Sequence, residues 1–520
     1  MPAHVNHPPA PPRRRAQGTR SRRGCRTCRA RHVKCDETPE SCTNCTSTGR
    51  SCDGYDKHEV PQERAGKLRL CAEIATAFRW RTTSDERRAL SLFQHLTVPA
   101  LIAVFDSSLW QRLVLQMSHG EPAVYHAVVA LSAIHQASEV TIGSMLARQR
   151  RGPPAEQLHR ASVWRRFGIE QLGRSLAALN QRSMSQDPQL REVTLLCCLL
   201  FIVGELLQNH HDAASQHLLS GVSILCELRR QESGRKPTAL SPVEPALFTT
   251  FLRLEMQYTH MGNSIRLMCL ADSQPEQKHL FSPPVFHTLE EARQAFDPIN
   301  SAVFRFQAST WTKSPAEMAA AYPVLLAMKH DLLSRLDWFW WSFEAFYHQN
   351  HPFLGPKEQR SIDMLHLHYT AAVLSVKVTM HLHDWAVLDP LEAELKHLLL
   401  LAESMVDRFP DRPALVMDLG VMPPLYIVAI ACSDLRARWR AIELLRVWPH
   451  WEGSWNSILV SSIAAEHVKA YTIARPDVFA GTQSSVMQMQ MQDELRLVDA
   501  LQSVRSMRNW VCVQSFSKVL

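Results

Sequence analysis

The chain has 520 residues, of which 46% are hydrophobic, enough for a small module and one or two larger domains with real cores. Its longest apolar stretch, residues 195–203, is far shorter than the roughly twenty residues that cross a bilayer, and the N-terminal MPAHVNHPPAPPRRR has no apolar segment typical of a secretory signal. We therefore expect a soluble intracellular protein with no membrane partner.

The net charge of +7 is concentrated at the N-terminus. Ten Lys or Arg and no Asp or Glu lie between Met1 and Cys35, whereas residues 61–520 are nearly balanced, with 45 basic and 44 acidic side chains. Residues 1–20 have almost nothing to bury, so we predict a disordered basic tail there. The candidates for a nuclear localisation signal or for phosphate contacts are Arg13–Arg15, Arg20, Arg22 and Arg23.

A duplicated cysteine pattern, C-x2-C-x6-C-x6-C-x2-C-x6-C, follows the tail. Its members are Cys25, Cys28, Cys35, Cys42, Cys45 and Cys52. A C-x2-C pair brings two thiolates to one tetrahedral Zn²⁺. Two such ions need eight ligand positions, so six cysteines suffice only if two thiolates bridge both ions. By the internal symmetry, we predict that Cys25 and Cys42 are the bridging ligands.

Two other interpretations of these cysteines are a disulfide framework and a metal-storage segment. Disulfide frameworks are typical of small secreted chains, and this sequence has no signal peptide. A storage segment would not need ten basic residues beside its thiolates. Both interpretations are therefore disfavoured.

The cysteine segment resembles the Zn2Cys6 binuclear cluster of fungal transcription factors. The resemblance rests on the cysteine spacing, the basic run CRARHVKC, Asp36, Pro39 and Gly49. It implies a small metal-stabilised DNA-binding module over residues 21–54, with two Zn²⁺ ions per chain. We expect each C-x2-C pair to begin a short helix, and metal binding to supply most of the folding energy of so small a unit.

The same resemblance implies how the module would bind double-stranded DNA. The first helix would carry residues 29–34 between two metal ligands, and in the family its end reads a CGG triplet in the major groove. Carried over to this sequence, Arg31 and His32 are the base-reading candidates. The phosphate candidates are Arg22, Arg23, Arg26, Arg29 and Lys34.

His32 departs from the family pattern, because many members have Lys or Arg at this position. A neutral imidazole offers one donor and little attraction for phosphate. Either Arg31 takes a larger share of guanine recognition, which we favour, or the module prefers a variant triplet. A third interpretation places His32 on the exposed face of the helix without a role in reading DNA.

A linker is predicted over residues 55–82. Its apolar residues Leu68, Cys71, Ala75 and Phe78 keep helical spacing for two heptads at most, fewer than a coiled coil requires. A single triplet is too common in a genome to specify a promoter, so we expect a homodimer that reads two half-sites. This linker segment is a weak candidate for the dimer seam.

Helical periodicity dominates residues 83–515, and we predict a large all-α domain there. Capping boxes, Thr83 with Glu86 and Thr288 with Glu291, predict two helix starts. Strand-like alternation is nearly absent. Further helices are expected from Pro122, over 190–207 and 212–229, and near 328–347, 358–382, 388–407, 424–447 and 455–473.

Four segments of this region resemble the fungal-specific transcription factor regulatory domain, namely 110–135, 195–225, 288–299 and 420–457. The resemblance implies a regulatory role, with a co-regulator or a small-molecule effector as a candidate partner. Four consecutive aromatic residues, 338–341, predict a helix that is buried on all sides. For this helix a plain core is favoured over a ligand pocket.

The sequence therefore predicts a nuclear DNA-binding transcription regulator, with a metabolic or secondary-metabolite pathway as its family-level target. An enzyme with an appended zinc module is the rival from another class, but the sequence has no GxSxG, GxGxxG, P-loop or HExxH motif, and we expect no enzymatic activity. An RNA-binding or protein-docking module is a third hypothesis. RNA-binding modules generally carry exposed aromatic residues, which the loops of this module lack.

Overall fold

The computed structural model describes residues 24–36, 42–53, 80–147, 155–232, 243–260, 285–381, 384–409 and 412–474, apart from positions 183, 186, 188 and 312. The chain divides into two units, Met1–Ala77 and Phe78–Leu520. Several sequence predictions fall outside the described residues. They are the basic tail with Arg22 and Arg23, Pro39, the linker segment at 68–78 and the end of the helical domain at 475–515.

The described residues of the first unit contain two short helices, α1 (Arg26–Ala30) and α2 (Thr43–Thr46). Each begins after a cysteine whose Sγ accepts the backbone N–H of the next cysteine of the pair. Cys25 accepts from Cys28, and Cys42 accepts from Cys45, both at 3.3 Å. Each C-x2-C pair thus begins a helix, but α1 ends at Ala30, well before residue 34.

The second unit is helical. Over the described residues its α-helices are α3 (Ser84–Leu92), α4 (Val98–Leu101), α5 (Val114–Gly120), α6 (Pro122–Ala147), α7 (Ala155–Gln181), α8 (Leu190–Leu206), α9 (His211–Glu232), α10 (Val243–His260), α11 (Leu289–Trp311), α12 (Pro315–Asn350), α13 (Pro356–Val378), α14 (Trp385–Leu388), α15 (Glu392–Asp407), α16 (Met422–Ala431), α17 (Leu435–Val447) and α18 (Ser457–Ala474). The predicted all-α class is confirmed over the described residues. None of the described helices combines the length and apolarity needed to cross a bilayer.

Local capping signals fix two of the predicted helix starts. Thr83 Oγ1 accepts the N–H of Glu86 at 3.2 Å, and a Glu86 carboxylate oxygen accepts the N–H of Thr83 at 2.9 Å, which is the reciprocal capping box. At the start of α11, Glu291 accepts instead from the N–H of His287, at 2.8 Å, while its own N–H donates to Thr288. In this second capping box the carboxylate of Glu291 therefore accepts the N–H of His287 and not that of Thr288, the predicted partner.

Helices α6 and α7 pack against each other along much of their length, and α8 packs beside α6. Gly168 permits this close approach, because a Cβ there would lie 2.7 Å from Cγ1 of Ile134. The middle of α8 is almost entirely buried, as its continuous apolar run predicts.

A larger core joins α11, α12, α13 and α15 to α16, α17 and α18. Phe339 is fully buried in it, with the rings of Phe296 and Phe343 at 5.1 and 5.3 Å. Trp341, however, is 71% exposed, so the prediction that this helix is buried on all sides is wrong. The helix buries one face, on which Phe339, Phe343 and Phe346 lie at spacings of four and three residues.

A small sheet interrupts the helical domain, with strands β1 (Leu415–Val416), β2 (Trp451–Glu452) and β3 (Trp455–Asn456). β1 pairs with β2 in parallel, and β2 pairs with β3 in antiparallel orientation. Gly453 makes the turn between β2 and β3 with a φ of 55°. The sequence did not predict this sheet, because two-residue strands are too short to alternate visibly.

Charged side chains cap both ends of the apolar helix α16. At its N-terminus the buried carboxylate of Glu452 accepts the N–H of Gly420 at 2.7 Å. At its C-terminus the buried guanidinium of Arg438 donates to the carbonyl of Ala429 at 3.2 Å and to that of Cys432. The anion and the cation each lie at the end of the helix dipole that favours them. The single helix predicted over 424–447 is therefore two, separated at the turn where Arg438 caps the first.

Candidate metal centre and nucleic-acid interface

Six thiols converge in the first unit. They form two sets of four whose sulfur atoms all lie within 4.8 Å of one another, namely Cys25, Cys28, Cys35 and Cys42, and Cys25, Cys42, Cys45 and Cys52. Cys25 and Cys42 belong to both sets. Five of the six side chains are buried, and Cys52 is half-buried.

The sulfur separations fit tetrahedral zinc. Cys25 Sγ lies 3.6 Å from Cys42 Sγ and 3.7 Å from Cys45 Sγ, and Cys28 Sγ lies 3.6 Å from Cys42 Sγ. A tetrahedron with Zn–S bonds of about 2.3 Å has edges of about 3.8 Å. Two such tetrahedra that share the edge between Cys25 and Cys42 use all six sulfurs and complete eight ligand positions.

The burial of the cysteine thiols also indicates that a cation binds at this site. Burial raises the pKa of the Cys25 thiol to about 12, and it raises the pKa values of Cys28 and Cys42 as well. Thiolates in this site therefore need positive charge close by, which Zn²⁺ supplies. Backbone donors add to it, because the N–H of Cys25 points to Cys35 Sγ at 3.4 Å and that of Cys42 to Cys52 Sγ at 3.5 Å.

The two halves of the module repeat their hydrogen bonds with an offset of seventeen residues. The carboxylate of Asp36 accepts the N–H groups of Thr43 and Asn44 at 2.9 and 3.0 Å, at the start of α2. Seventeen residues later, Asp53 accepts the hydroxyl of Thr27 at 2.9 Å, at the start of α1. Each half therefore holds the helix of the other half through the acid that follows its third cysteine. The sequence analysis missed Asp53, although its equivalence to Asp36 could have revealed it.

His32 lies two residues beyond the end of α1 and has left-handed backbone geometry with a φ of 57°. The N–H of His32 donates to the carbonyl of Arg29, and the N–H of Val33 donates to that of Cys28, both at 3.1 Å. This pair of bonds is the Schellman motif, which terminates a helix. The predicted helix across residues 29–34 is wrong for this reason, and His32 lies beyond the helix rather than on its face.

The second half ends its helix in the same way. Gly49 has a φ of 63°, and its N–H donates to the carbonyl of Thr46 at 3.1 Å. The N–H of Arg50 donates to the carbonyl of Cys45 at 3.0 Å. His32 therefore occupies in the first half the position that glycine holds in the second.

The shared backbone carries different side chains in the two halves. Around α1 the basic residues are Arg26, Arg29, Arg31 and Lys34, whose equivalents around α2 are Thr43, Thr46, Thr48 and Ser51. Arg26, Arg29, His32 and Lys34 are exposed. Arg31 is half-buried, and its Nη1 is enclosed without a hydrogen-bond partner among the described residues. Among the described residues of the module, four of the five arginines and lysines thus lie in the first half, and Arg50 alone lies in the second.

Comparison with known proteins agrees with this geometry. Residues 23–60 match the fungal Zn(2)-Cys(6) binuclear cluster domain, and residues 88–299 match the fungal specific transcription factor domain. The chain contains both of these domains. The Zn2Cys6 domain binds zinc, and the match over 88–299 includes three of the four segments on which the second resemblance rests.

Several fungal transcription regulators are similar to this chain. The aspercryptin biosynthesis cluster-specific transcription regulator of Emericella nidulans is 26% identical over 417 residues, which cover 75% of this chain and 65% of that protein. The transcription regulator lscL of Purpureocillium lilacinum is 27% identical over 229 residues, or 42% of this chain and 52% of that protein. The transcriptional regulatory protein moc3 of Schizosaccharomyces pombe is 37% identical over 67 residues, 13% of each chain.

The chain therefore spans less than two thirds of the length of these relatives. No solved structure matches it significantly.

Proposed function

We propose that this protein is a nuclear, sequence-specific DNA-binding regulator of transcription. Residues 21–54 would bind DNA and residues 83–515 would regulate that activity. The observation that carries the proposal is the contrast between the two halves of the Zn2Cys6 domain, which share backbone geometry but place Arg26, Arg29, Arg31 and Lys34 in the first half and only Arg50, among the described residues, in the second. A purely structural zinc module has no need of this contrast, whereas a module that binds a polyanion at one end requires it.

Zinc would hold the module in one conformation through all six cysteines, with Cys25 and Cys42 as the bridging thiolates. The ions would supply the positive charge that the thiolates need and would hold α1 in one orientation. Formally, six thiolates and two Zn²⁺ ions sum to a net negative charge, so the cluster itself does not attract phosphate. The surrounding cations of the first half have to do so.

Arg31 and His32 are the proposed base-reading residues, since they lie where α1 ends. Arg31 directly follows α1 and is only half-buried, and its guanidinium has the pair of donors that a guanine edge accepts. His32 follows the end of α1 in a left-handed conformation, and its side chain is exposed. The proposed phosphate contacts are Arg26, Arg29 and Lys34, together with Arg22 and Arg23 beyond the described residues.

The protein would act on DNA as a homodimer, because one triplet carries too little information to select a promoter. Its similarity to a regulator of aspercryptin biosynthesis supports a role in controlling secondary-metabolite genes. The domains and relatives that match are those of transcription regulators, which supports a protein without catalytic activity.

Selection of bound sites from a random double-stranded DNA library, with the zinc-loaded full chain, tests the proposal. We expect enrichment of sites that contain two CGG-like triplets at a fixed spacing. The variant Arg31→Ala should lose that enrichment while it retains two zinc ions. Recovery of no common sequence, or equal competition by single-stranded RNA, would contradict the proposal.

A further inference from the structure

Helix α7 has two faces that follow a seven-residue spacing. On the first face, Ala161, Gly168 and Ser175 are buried against α6. These small residues let the two helices approach closely, and Ser175 Oγ donates to the carbonyl of Ala123 on α6 at 2.7 Å. Within the fold, α6 covers this face of α7.

The second face lies beside the first and carries larger apolar side chains, three of which are exposed. We call it the apolar stripe, and its members are Leu158, Ile169, Leu172, Leu176 and Leu179. Ile169 is 51% exposed, Leu176 45% and Leu158 44%, while Leu172 and Leu179 are half-buried. The last four residues follow spacings of three, four and three, and Leu158 lies on the same side of the helix three turns earlier.

Such spacing is the seam of a helix that packs against another helix. Single exposed leucines are common on protein surfaces, but several apolar side chains on one side of a helix mark an interaction surface. If another helix packed along the apolar stripe, the side chains of that helix would fit as knobs between the side chains of α7. A flat or irregular partner would match this periodicity less well.

The charges beside the apolar stripe indicate what the partner helix carries. Arg165 lies in register with the stripe, and His159 and Arg166 border it, all three exposed. Neither Arg165 nor Arg166 has an acidic partner among the described residues. Glu170 lies one turn after Arg166, about 40° from it round the helix and on the same border, whereas Glu156, two residues before Leu158, lies about 200° away. The apolar stripe and its border therefore carry two arginines and one glutamate, a net positive charge.

We propose that the apolar stripe docks an amphipathic helix of a partner protein, with leucine or isoleucine on its contact face and glutamate or aspartate along its edges. Carboxylates at those edges would pair with Arg165 and Arg166. A second copy of α7 fits less well, because it would bring two further arginines and only one acid, Glu170, to the same border. The proposal goes beyond DNA binding and does not depend on it.

A designed peptide tests the surface without knowledge of the natural partner. The probe is a fluorescently labelled helical peptide with leucine at the contact positions and glutamate at the flanking ones, and the control peptide has lysine in place of every glutamate. Binding to the zinc-loaded full chain is measured by anisotropy. Ile169→Ser should weaken binding of the acidic peptide by about tenfold or more, as loss of a central apolar anchor does. Arg165→Glu should abolish the preference for the acidic peptide over the basic one.

Val163→Ser is the matched control, because Val163 lies on the same helix with a similar exposure of 43% but outside the apolar stripe. It should change the affinity by less than about twofold. Equal losses for Val163→Ser and Ile169→Ser, equal binding of both peptides, or no saturable binding would each overturn the proposal. A self-association abolished by Ile169→Ser would overturn it too, since the occupant would then be a second copy. DNA affinity should be unchanged in all three variants, which separates this test from that of the proposed function.

Discussion

His32 and Gly49 are structural equivalents, seventeen residues apart, and both have left-handed backbone geometry, with φ values of 57° and 63°. Each ends the helix of its half through the same pair of backbone hydrogen bonds. Glycine adopts this conformation without strain, whereas a residue with a Cβ is destabilised by roughly 1–2 kcal/mol. The first half of the module therefore accepts a strained residue where the second half does not.

Replacement of His32 by glycine should relieve this strain. Because folding of the module is coupled to metal binding, we expect His32→Gly to raise zinc affinity about two- to fivefold, equivalent to about 0.5–1 kcal/mol. DNA discrimination should fall at the same time, since the imidazole is lost. Competition with a chelator measures the change in zinc affinity. Binding to specific and scrambled DNA duplexes measures the change in DNA discrimination.

Gly49→Ala is the converse control. No atom lies within 4 Å of the Cβ it would add, so the expected loss of zinc affinity arises from the backbone alone. An increase in zinc affinity without any loss of discrimination in His32→Gly would show that the histidine has no role in reading DNA.

The parts of the structure that the sequence predicts well are those encoded by neighbouring residues. The capping box of Thr83 and Glu86 spans three residues, and each C-x2-C pair begins its helix at the first cysteine. In each case one short segment contains both partners of the decisive hydrogen bond. The helix starts could therefore be placed before the structure was known.

Contacts between distant residues could not be predicted in this way. Glu452 caps α16 through Gly420, thirty-two residues earlier, and no local pattern links the two. The end of α1 shortly before His32 was missed because histidine carries no signal for a left-handed turn. Gly49, at the equivalent position of the repeat, does carry that signal, and alignment of the two halves would have revealed it.

The bridging scheme predicts different responses to histidine at different cysteines. An imidazole nitrogen has one lone pair, so it can replace a terminal thiolate but cannot bridge two ions. We expect Cys45→His to retain two zinc ions per chain and Cys42→His to lose at least one. Elemental analysis of the purified full-length variants gives the ratio. Two zincs in both variants would exclude Cys42 as a bridging ligand.

Arg31 and Arg26 should respond differently to truncation. If Arg31 contacts a guanine edge, Arg31→Ala should lower affinity for the selected site by about 1–3 kcal/mol and leave non-specific binding nearly unchanged. If the exposed Arg26 contacts phosphate, Arg26→Ala should weaken all duplexes alike and reduce the slope of log affinity against log salt by about one. Titrations at several salt concentrations distinguish the two, and a uniform loss in Arg31→Ala would exclude base reading by that residue.

The buried His211 should make the helical domain sensitive to acid. Burial lowers the pKa of His211 to about 4, so the unfolded chain binds a proton more readily than the folded one. Stability contributed by the neutral side chain is then complete above pH 6.5 and is lost as the pH falls towards 4, by about 2 kcal/mol at pH 5. Chemical unfolding at pH 7 and pH 5 should show a smaller difference for His211→Phe than for the unmodified chain. His159→Gln, at an exposed position on α7, should leave that difference intact.

Glu452 is predicted to be essential for the helical core. Its carboxylate accepts the N–H groups of Gly420 and Val421 at 2.7 and 2.8 Å and contacts His450 Nε2 at 2.9 Å. Glu452→Gln would turn an amide group with two donors towards these donors, which should destabilise the domain by about 2–4 kcal/mol. The control is Glu443→Gln, which breaks an exposed pair with Arg440 and should change stability by less than about 0.5 kcal/mol. Equal unfolding midpoints for the two variants in urea would show that the buried cap contributes no more than a surface ion pair.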